Sequence, residues 1–249
     1  AGRPAEGMNG FLAALPMYDW PELRAETDAQ WAAMRDRLRA AGIAAPERLA
    51  RENMPSGALD LAALWRHPKL LFGQTCWGPM EAGLAAQVQV VGQPDYSDCE
   101  GGQRELYSSA VVMRGPQAGL QPPPDGRAVL PLAPLRGKRF AFNSTDSLSG
   151  FLAPGRDLQA MGESLAVFCE CIETGGHRAS LRAIAEGRAD VAAIDCRSWS
   201  LFKRLELNLS ARLQVVGWTA RRRGLPFITA RATPPRIVAA LREALAAAA

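Results

Sequence analysis

Segments with the pattern of strands alternate with segments with the pattern of helices along most of this chain. The first half reads as βαβαβ, beginning with "GFLAALPMYDW", passing through the helical "AETDAQWAAMRDRLRAAGI" and closing on "EAGLAAQVQVVGQP". The chain ends in "PPRIVAALREALAAAA", whose prolines suit the start of an amphipathic helix. Because strands that alternate with helices form parallel sheets with right-handed crossovers, the sequence predicts an α/β protein with mostly parallel sheets.

A second series of strands and helices occupies the middle of the chain. It starts at the strand "KRFAFN" and continues through a Ser-rich turn, a helix around "MGESLAVFCECIE", a helix at "RASLRAIAEG" and the strand "DVAAID". The strand-like "RELYSSAVVMRG" and "LQVVGWTA" stand at the joins between the two series. Two α/β series with two joins indicate a bilobed protein whose chain crosses between the lobes twice.

The composition is that of an ordinary globular protein and argues against several other classes. Of the 249 residues, 48% are apolar and 22% are charged, and no apolar run reaches the roughly 18 residues of a membrane span. The net charge is +4, and the basic residues are spread along the chain, with "RRRG" at 221–224 as the only basic cluster. Nucleic-acid binding is therefore not expected. The sequence has no metal-ligand spacing, phosphate loop or dinucleotide fingerprint, and it predicts no cofactor.

Five cysteines leave at least one thiol without a disulfide partner inside the chain. Cys76 and Cys99 lie in loops rich in Gly and Pro, where a disulfide is plausible in an oxidising compartment and reduced thiols are the alternative. Cys169 and Cys171 fall in a predicted helix, where a spacing of two residues turns their side chains to nearly opposite sides. A metal site at this second pair is therefore not expected.

Small polar side chains cluster where the predicted strands end. In "NSTDSLSG", at 143–150, hydroxyl and amide groups can cap the first turn of a helix or hold an anion at its positive end. The residues at the ends of the other predicted strands are Tyr18 and Asp19, 74–77, "GGH" at 175–177, and Asp195. Since ligands bind beyond the carboxyl ends of strands in open α/β sheets, the sequence predicts one ligand cleft between two lobes.

Three segments together resemble the phosphate/phosphite/phosphonate substrate-binding proteins of ABC transporters. They are "YSSAVVMRG" (107–115), "DSLSGFLAP" (146–154) and "ETGGHRASLRAIAEGRADVAAID" (173–195). The resemblance implies a type 2 periplasmic-binding-protein fold, with two lobes, two mostly parallel sheets flanked by helices, and a two-strand hinge near 107–112 and 218–220. Lobe 1 is expected to comprise 1–108 and 218–249, and lobe 2 to comprise 109–217.

The resemblance also implies a ligand site. In the family a Ser-Thr-Ser-Gly turn holds the phosphonate oxygens; this chain matches it with Ser147 and Ser149 but has Leu148 in the middle, which removes one hydroxyl. His177 matches a His of the family, and Asp195 matches an Asp that can face a ligand amine. The expected ligand-binding residues are Tyr18, Gln74, Trp77, Tyr107, Asn143, Ser147, Ser149, His177 and Asp195.

The leading functional hypothesis is a monomeric solute-binding protein that closes on a small oxyanion or zwitterion, phosphonate-like in character, and delivers it to an ABC transporter permease. We expect a periplasmic location if a leader precedes Ala1, whereas a native start at Met8 favours a cytoplasmic protein. Two other classes stay open: a soluble ligand sensor, and an enzyme on the same fold similar to those of thiamine-pyrimidine synthesis. For an enzyme, Ser147, His177 and Asp195 are the candidate triad.

Overall fold

The computed structural model describes residues 10–52, 59–116 and 119–247, so Met8 lies outside the described residues. The chain separates into two compact units: unit 1 is Ala1–Pro94 with Leu225–Ala249, and unit 2 is Asp95–Gly224. The chain thus passes between the units twice, at 94/95 and at 224/225. These boundaries differ from the expected 108/109 and 217/218, both of which fall within unit 2.

The bounds of the regular elements are as follows. In the described residues the strands are β1 (Leu12–Ala14), β2 (Leu70–Gln74), β3 (Val88–Gly92), β4 (Gly102–Gln103), β5 (Leu106–Tyr107), β6 (Ser109–Arg114), β7 (Arg139–Phe142), β8 (Glu170–Glu173), β9 (Val191–Asp195), β10 (Leu213–Trp218), β11 (Arg222–Arg223) and β12 (Phe227–Ala230). The helices there are α1 (Arg24–Ala40), α2 (Leu61–Trp65), α3 (Trp77–Glu81), α4 (Leu132–Leu135), α5 (Ala153–Ala160), α6 (His177–Ala185), α7 (Cys196–Leu205), α8 (Leu207–Ser210) and α9 (Pro235–Ala246).

Unit 1 is a four-stranded sheet, in the order β1-β2-β12-β3, with helices on both faces. On one face α1 and α9 pack together, and Trp31 stacks on Phe72 with 6.2 Å between ring centroids. On the other face Leu64 of α2 and Met80 of α3 are buried against the sheet. The α1 prediction is confirmed, and the helix ends just before Gly42, whose φ of +74° suits a glycine after a helix.

Unit 2 contains a five-stranded sheet in the order β10-β6-β9-β7-β8 and a small sheet in the order β11-β5-β4. An aromatic cluster covers one face, where Phe140 stacks on Phe168 at 4.6 Å between centroids. Helices α6 and α7 pack against β9 and β6. The expected hinge strands are β6 and β10, which pair with each other in this sheet, and this pairing places both in unit 2.

The predicted α/β fold class is confirmed, and each large sheet is mixed because a single strand runs opposite to all the others. In unit 1, β1, β2 and β3 run in one direction, and β12 inserts between β2 and β3 and runs antiparallel to both. In unit 2, β7 is parallel to β8 and β9, while β6 is antiparallel to β9 and β10. Strands β6 and β12 each come soon after a point where the chain enters a unit. Among the described residues, no helix lies between that point and the strand, and a parallel neighbour would need such a crossover connection.

The prediction of a helix around "MGESLAVFCECIE" is wrong. The helix of this region is α5, which ends at Ala160, and the segment itself forms a short turn (Leu165–Val167) and then strand β8. Cys171 lies in β8 and Cys169 just before it, and both are exposed. On an extended chain, side chains two residues apart point to the same face, so the expected opposite orientation does not hold.

None of the five cysteines is in a disulfide bond in the structure, including the expected pair Cys76 and Cys99. The thiol of Cys99 donates a hydrogen bond to Asp98 Oδ1 at 3.4 Å and lies beside the thiol of Cys196, because the loop of Cys99 packs on the start of α7. Among the described residues there is no cluster of three His, Cys, Asp or Glu side chains suited to a metal ion. None of the described helices combines the length and the hydrophobicity needed to cross a membrane.

Candidate functional site

The Ser-rich segment forms a wide helical turn (Leu148–Leu152) that follows β7 and leads into α5. Ser147 stands at its start in an extended conformation, and its hydroxyl accepts a hydrogen bond from the backbone N–H of Gly150 at 3.1 Å. The side chains of Ser147 and Ser149 are buried, with 3.5 Å between their hydroxyl oxygens. The sequence-based prediction of a capped helix start is therefore confirmed for Ser147.

Ser149 connects this turn to two other elements of unit 2. Its hydroxyl lies 2.9 Å from Nε2 of His177, the first residue of α6. Its carbonyl accepts a hydrogen bond at 3.0 Å from the hydroxyl of Ser109 in β6. Ser109 fixes the backbone of Ser149 and His177 contacts its hydroxyl, so the hydroxyl is positioned before any ligand arrives.

Asp195, the last residue of β9, faces the same nitrogen of His177 as Ser149 does. Its Oδ2 is 3.3 Å from His177 Nε2, and its Oδ1 accepts hydrogen bonds from the backbone N–H groups of Arg197 at 3.1 Å and Ser198 at 3.0 Å. Asp195 is therefore both the N-cap of α7 and a neighbour of the imidazole. The carboxylate fixes the orientation of the ring, which is the usual role of an acidic partner beside a histidine.

The environment of His177 keeps the imidazole neutral. Burial lowers the pKa of His177 below its ordinary value, and the charge of Asp195 opposes this only in part. Because a carboxylate accepts but does not donate, the single proton of the neutral ring belongs on Nε2, which faces Asp195 and Ser149. Nδ1 is then an acceptor, and it is buried with no hydrogen-bond partner among the described residues.

A second unpartnered acceptor lies beside the same turn. Oδ1 of Asn143 is buried and has no hydrogen-bond partner in the described part of the chain. A Cβ added to Gly150 would stand 2.0 Å from Asn143 Oδ1 and 3.3 Å from His177 Cε1, so both side chains converge on this glycine. The glycine is required here because any larger residue would collide with Asn143. We call Asn143, Ser147, Ser149 and His177 the serine cradle.

The geometry around His177 does not form a hydrolytic triad. In a Ser-His-Asp triad the serine and the aspartate bond to different ring nitrogens, so that the ring can take a proton on one side while it is held on the other. Here Ser149 and Asp195 both face Nε2. Moreover, Ser147 contacts Ser149 and the Gly150 N–H rather than the imidazole.

The lowered pKa of His177 predicts a loss of stability on mild acidification. The unfolded chain takes up a proton near the ordinary pKa of 6.5, while the folded chain resists protonation, so the free energy of unfolding falls as the pH drops from about 7.5 to 5. A His177→Gln variant removes this dependence in urea titrations at a series of pH values. The chain has one other histidine, and His67→Gln is the matched control for the loss of an imidazole. A His177→Gln slope equal to that of the wild type would contradict the assignment.

The other expected site residues are distributed over both units. Tyr18, Gln74 and Trp77 belong to unit 1, where Gln74 is buried at the end of β2 and Trp77 opens α3. Tyr107 is buried in β5 of unit 2, and its ring packs on that of Tyr96 at 5.4 Å between centroids. Within unit 2 the structure therefore brings together Asn143, Ser147, Ser149, His177 and Asp195.

Sequence reasoning missed two residues that support the cradle. Ser109 holds the Ser149 carbonyl, and its own N–H donates to Thr219 Oγ1 at 2.8 Å. Gly150 leaves the space that Asn143 occupies. Ser109 resembles any other strand residue of "YSSAVVMRG", and its role depends on a contact 40 residues away along the chain, so no local signal could have identified it.

Solved structures share this fold over almost the whole chain. PhnD1 from Prochlorococcus marinus in complex with methylphosphonate matches with a TM-score of 0.65 and 16% identity, over 96% of this chain and 82% of that one. XAC2383 from Xanthomonas citri bound to chloride matches with a TM-score of 0.61 and 17% identity, over 94% and 82%. A binding protein component of an ABC phosphonate transporter from Pseudomonas aeruginosa matches with a TM-score of 0.61 and 14% identity, over 94% and 73%.

Two α/β units with mixed sheets, crossed twice by the chain, define the class of two-lobed periplasmic binding proteins. The family model described as "ABC transporter, phosphonate, periplasmic substrate-binding protein" matches residues 79–249. The chain belongs to this family, and it functions as a substrate-binding protein of an ABC transport system. The comparison with curated proteins found no match.

Proposed function

We propose that the serine cradle binds the oxyanion end of a phosphonate-like solute, which the protein then delivers to its permease. The observation that carries the proposal is the pair of buried hydroxyls, Ser147 and Ser149, 3.5 Å apart at a capped helix start and backed by His177. Hydroxyl donors at the positive end of a helix suit an anion. That PhnD1 was solved in complex with methylphosphonate supports this ligand class.

The cradle favours a ligand that also donates hydrogen bonds. Asn143 Oδ1 and His177 Nδ1 are buried acceptors with no hydrogen-bond donor among the described residues. The neighbouring Leu148 is buried and has no hydroxyl that could donate to them. A buried acceptor left unpaired costs about 1–3 kcal/mol. A phosphonate that keeps one proton, or that carries an ammonium group, satisfies these acceptors, whereas sulfate has no proton to give at neutral pH. We therefore propose that the protein selects protonated or amino-bearing phosphonates over sulfate.

The proposed role includes no chemical step. Both partners of His177 face Nε2, so the imidazole is placed to orient and donate rather than to pass a proton from a nucleophile. Binding energy then favours the ligand-bound conformation that a membrane permease recognises. We propose that the protein acts as a monomer in the periplasm, and that Tyr18, Gln74, Trp77 and Tyr107 contribute further contacts to the ligand.

A thermal-shift screen of the purified protein tests this proposal. The panel comprises methylphosphonate, aminoethylphosphonate, phosphite, phosphate, sulfate and a set of amino acids. A ligand at 100 times its Kd stabilises the folded state by about 2.7 kcal/mol, so one or more phosphonates should raise Tm by several degrees and sulfate should not. Stabilisation by amino acids with no response to any phosphorus oxyanion would overturn the proposed ligand class.

A further inference from the structure

Two cysteines outside the cradle lie side by side in unit 2. Cys99 is 7% exposed and sits in a tight loop, where its N–H donates to the Tyr96 carbonyl at 2.9 Å. Cys196 is 1% exposed and is the first residue of α7, directly after Asp195. The Cys99 thiol donates a hydrogen bond to Asp98 Oδ1 at 3.4 Å, and the Cys196 thiol lies close enough to interact with the Cys99 sulfur. Residues almost a hundred positions apart in the sequence thus meet as a pair of neighbouring sulfur atoms.

Several contacts hold the loop of Cys99 against α7. The guanidinium of Arg197 lies 4.6 Å from the centroid of the Tyr96 ring and forms an ion pair with Asp98 at 3.2 Å. Nearly two turns further along α7, Lys203 forms an ion pair with Glu100 at 3.2 Å. These contacts flank Cys99 on both sides in the sequence. The loop is therefore docked by interactions that do not involve sulfur, and the two thiols are presented to each other by the surrounding fold.

We propose that Cys99 and Cys196 form a disulfide bond in the mature protein. The family to which the chain belongs is periplasmic, and the periplasm is an oxidising compartment in which disulfides form and persist. The site is independent of the ligand, so it stands whether or not the proposed ligand class is correct. It replaces the pairing of Cys76 with Cys99 that the sequence suggested.

The two thiols have different roles in forming the bond. The interaction with Cys196 lowers the pKa of Cys99, and Arg197 lowers it further. The interaction with Cys99, together with burial, raises the pKa of Cys196. Cys99 is also the more exposed of the two. It is therefore the thiolate that attacks an external disulfide oxidant, of the protein or small-molecule class.

The exchange balances in two steps. The Cys99 thiolate bonds to one sulfur of the oxidant, whose S–S bond breaks and whose other sulfur leaves as a thiolate. Cys196 then loses its proton to solvent and its sulfur attacks that of Cys99, which releases the second sulfur of the oxidant. Two protein thiols are oxidised to one disulfide, and one oxidant disulfide is reduced to two thiols.

The test is disulfide mapping of the wild-type protein secreted to a bacterial periplasm. The protein is alkylated under denaturing conditions without reductant, digested and analysed by mass spectrometry. We expect a linked peptide pair containing Cys99 and Cys196, and alkylation at Cys76, Cys169 and Cys171. Alkylation of all five cysteines, or a linkage that joins Cys99 to Cys76, would overturn the proposal.

Variants add a second measurement. Reductant should lower Tm of the wild type by at least roughly 5 °C, because a disulfide that closes a long loop is strongly stabilising. Cys76→Ser is the matched control, since it is another buried cysteine, and it should keep both the linkage and the response to reductant. Cys196→Ser should lose both. A Cys196→Ser variant whose Tm still falls with reductant, or a wild type whose Tm does not, would contradict the assignment.

Discussion

Replacement of both Ser147 and Ser149 with alanine is expected to abolish ligand binding and to leave the protein folded. A hydrogen bond to a charged group contributes about 1.5–3 kcal/mol, so the loss of both hydroxyls should weaken the Kd for a phosphonate by roughly 10² to 10⁴-fold. Ser147 also caps the turn through the Gly150 N–H, and the loss of a cap costs about 1 kcal/mol of stability. Titration calorimetry measures the affinity, and circular dichroism verifies the fold.

The matched control is another capping serine of unit 2 that lies away from the cradle. Ser164 accepts a hydrogen bond from the Ala166 N–H at 3.2 Å at the start of a short turn. Ser164→Ala removes a comparable cap and should leave ligand affinity unchanged. If the double variant binds as tightly as Ser164→Ala does, the serine cradle is not the ligand site, even if the protein binds phosphonates elsewhere.

Asp157→Ala is expected to destabilise the protein by about 3 kcal/mol, the lower end of the cost of breaking a buried ion pair, because the Arg222 left behind is partly exposed. Asp157 lies in α5 and is 5% exposed. Its carboxylate accepts hydrogen bonds from two nitrogens of Arg222, at 3.1 and 2.5 Å, and from the Ala220 N–H at 2.9 Å. The substitution leaves the Arg222 guanidinium and a backbone donor without this acceptor. Urea denaturation measures the change in the free energy of unfolding.

An exposed ion pair provides the comparison for Asp157. Glu186 and Arg188 are paired at 2.6 Å but both are well exposed, so Glu186→Ala should change stability by at most about 1 kcal/mol. The double variant Asp157→Ala/Arg222→Met, which also removes the partly buried cation, should recover part of the loss. If Asp157→Ala costs no more than Glu186→Ala, the ion pair does not link α5 to the 220–222 segment in the way the structure indicates.

Sequence patterns correctly predicted those helices, strands and caps that depend on residues close together in the chain. Helix α1 has helical periodicity and a following glycine at Gly42, and β9 reads as an apolar run that ends at Asp195. The cap by Ser147 belongs to the same group, since its partner is only three residues away. The motifs at 107–115, 146–154 and 173–195 were enough to indicate the family, which the family match confirms.

Predictions that depended on distant partners were less successful. The segment "ECIE" has no alternation of its own and becomes β8 because it pairs with β7 at the edge of the sheet. The direction of β12 depends on where the chain re-enters unit 1 rather than on the residues Phe227–Ala230. The sequence suggested Cys76 as the disulfide partner of Cys99 because both lie in loops, whereas the fold places Cys196 beside Cys99.

The same division applies to the candidate site. The sequence by itself determined the residue types at the strand ends, the capped turn at Ser147 and the family, because these depend on neighbouring residues or on short motifs. Only the tertiary structure decided that Ser149 and Asp195 share one nitrogen of His177, and that Asn143 lies over Gly150. The hydrogen bonds and contacts involved join elements that meet only when the sheet of unit 2 is assembled, so their geometry is a property of packing and not of any segment alone.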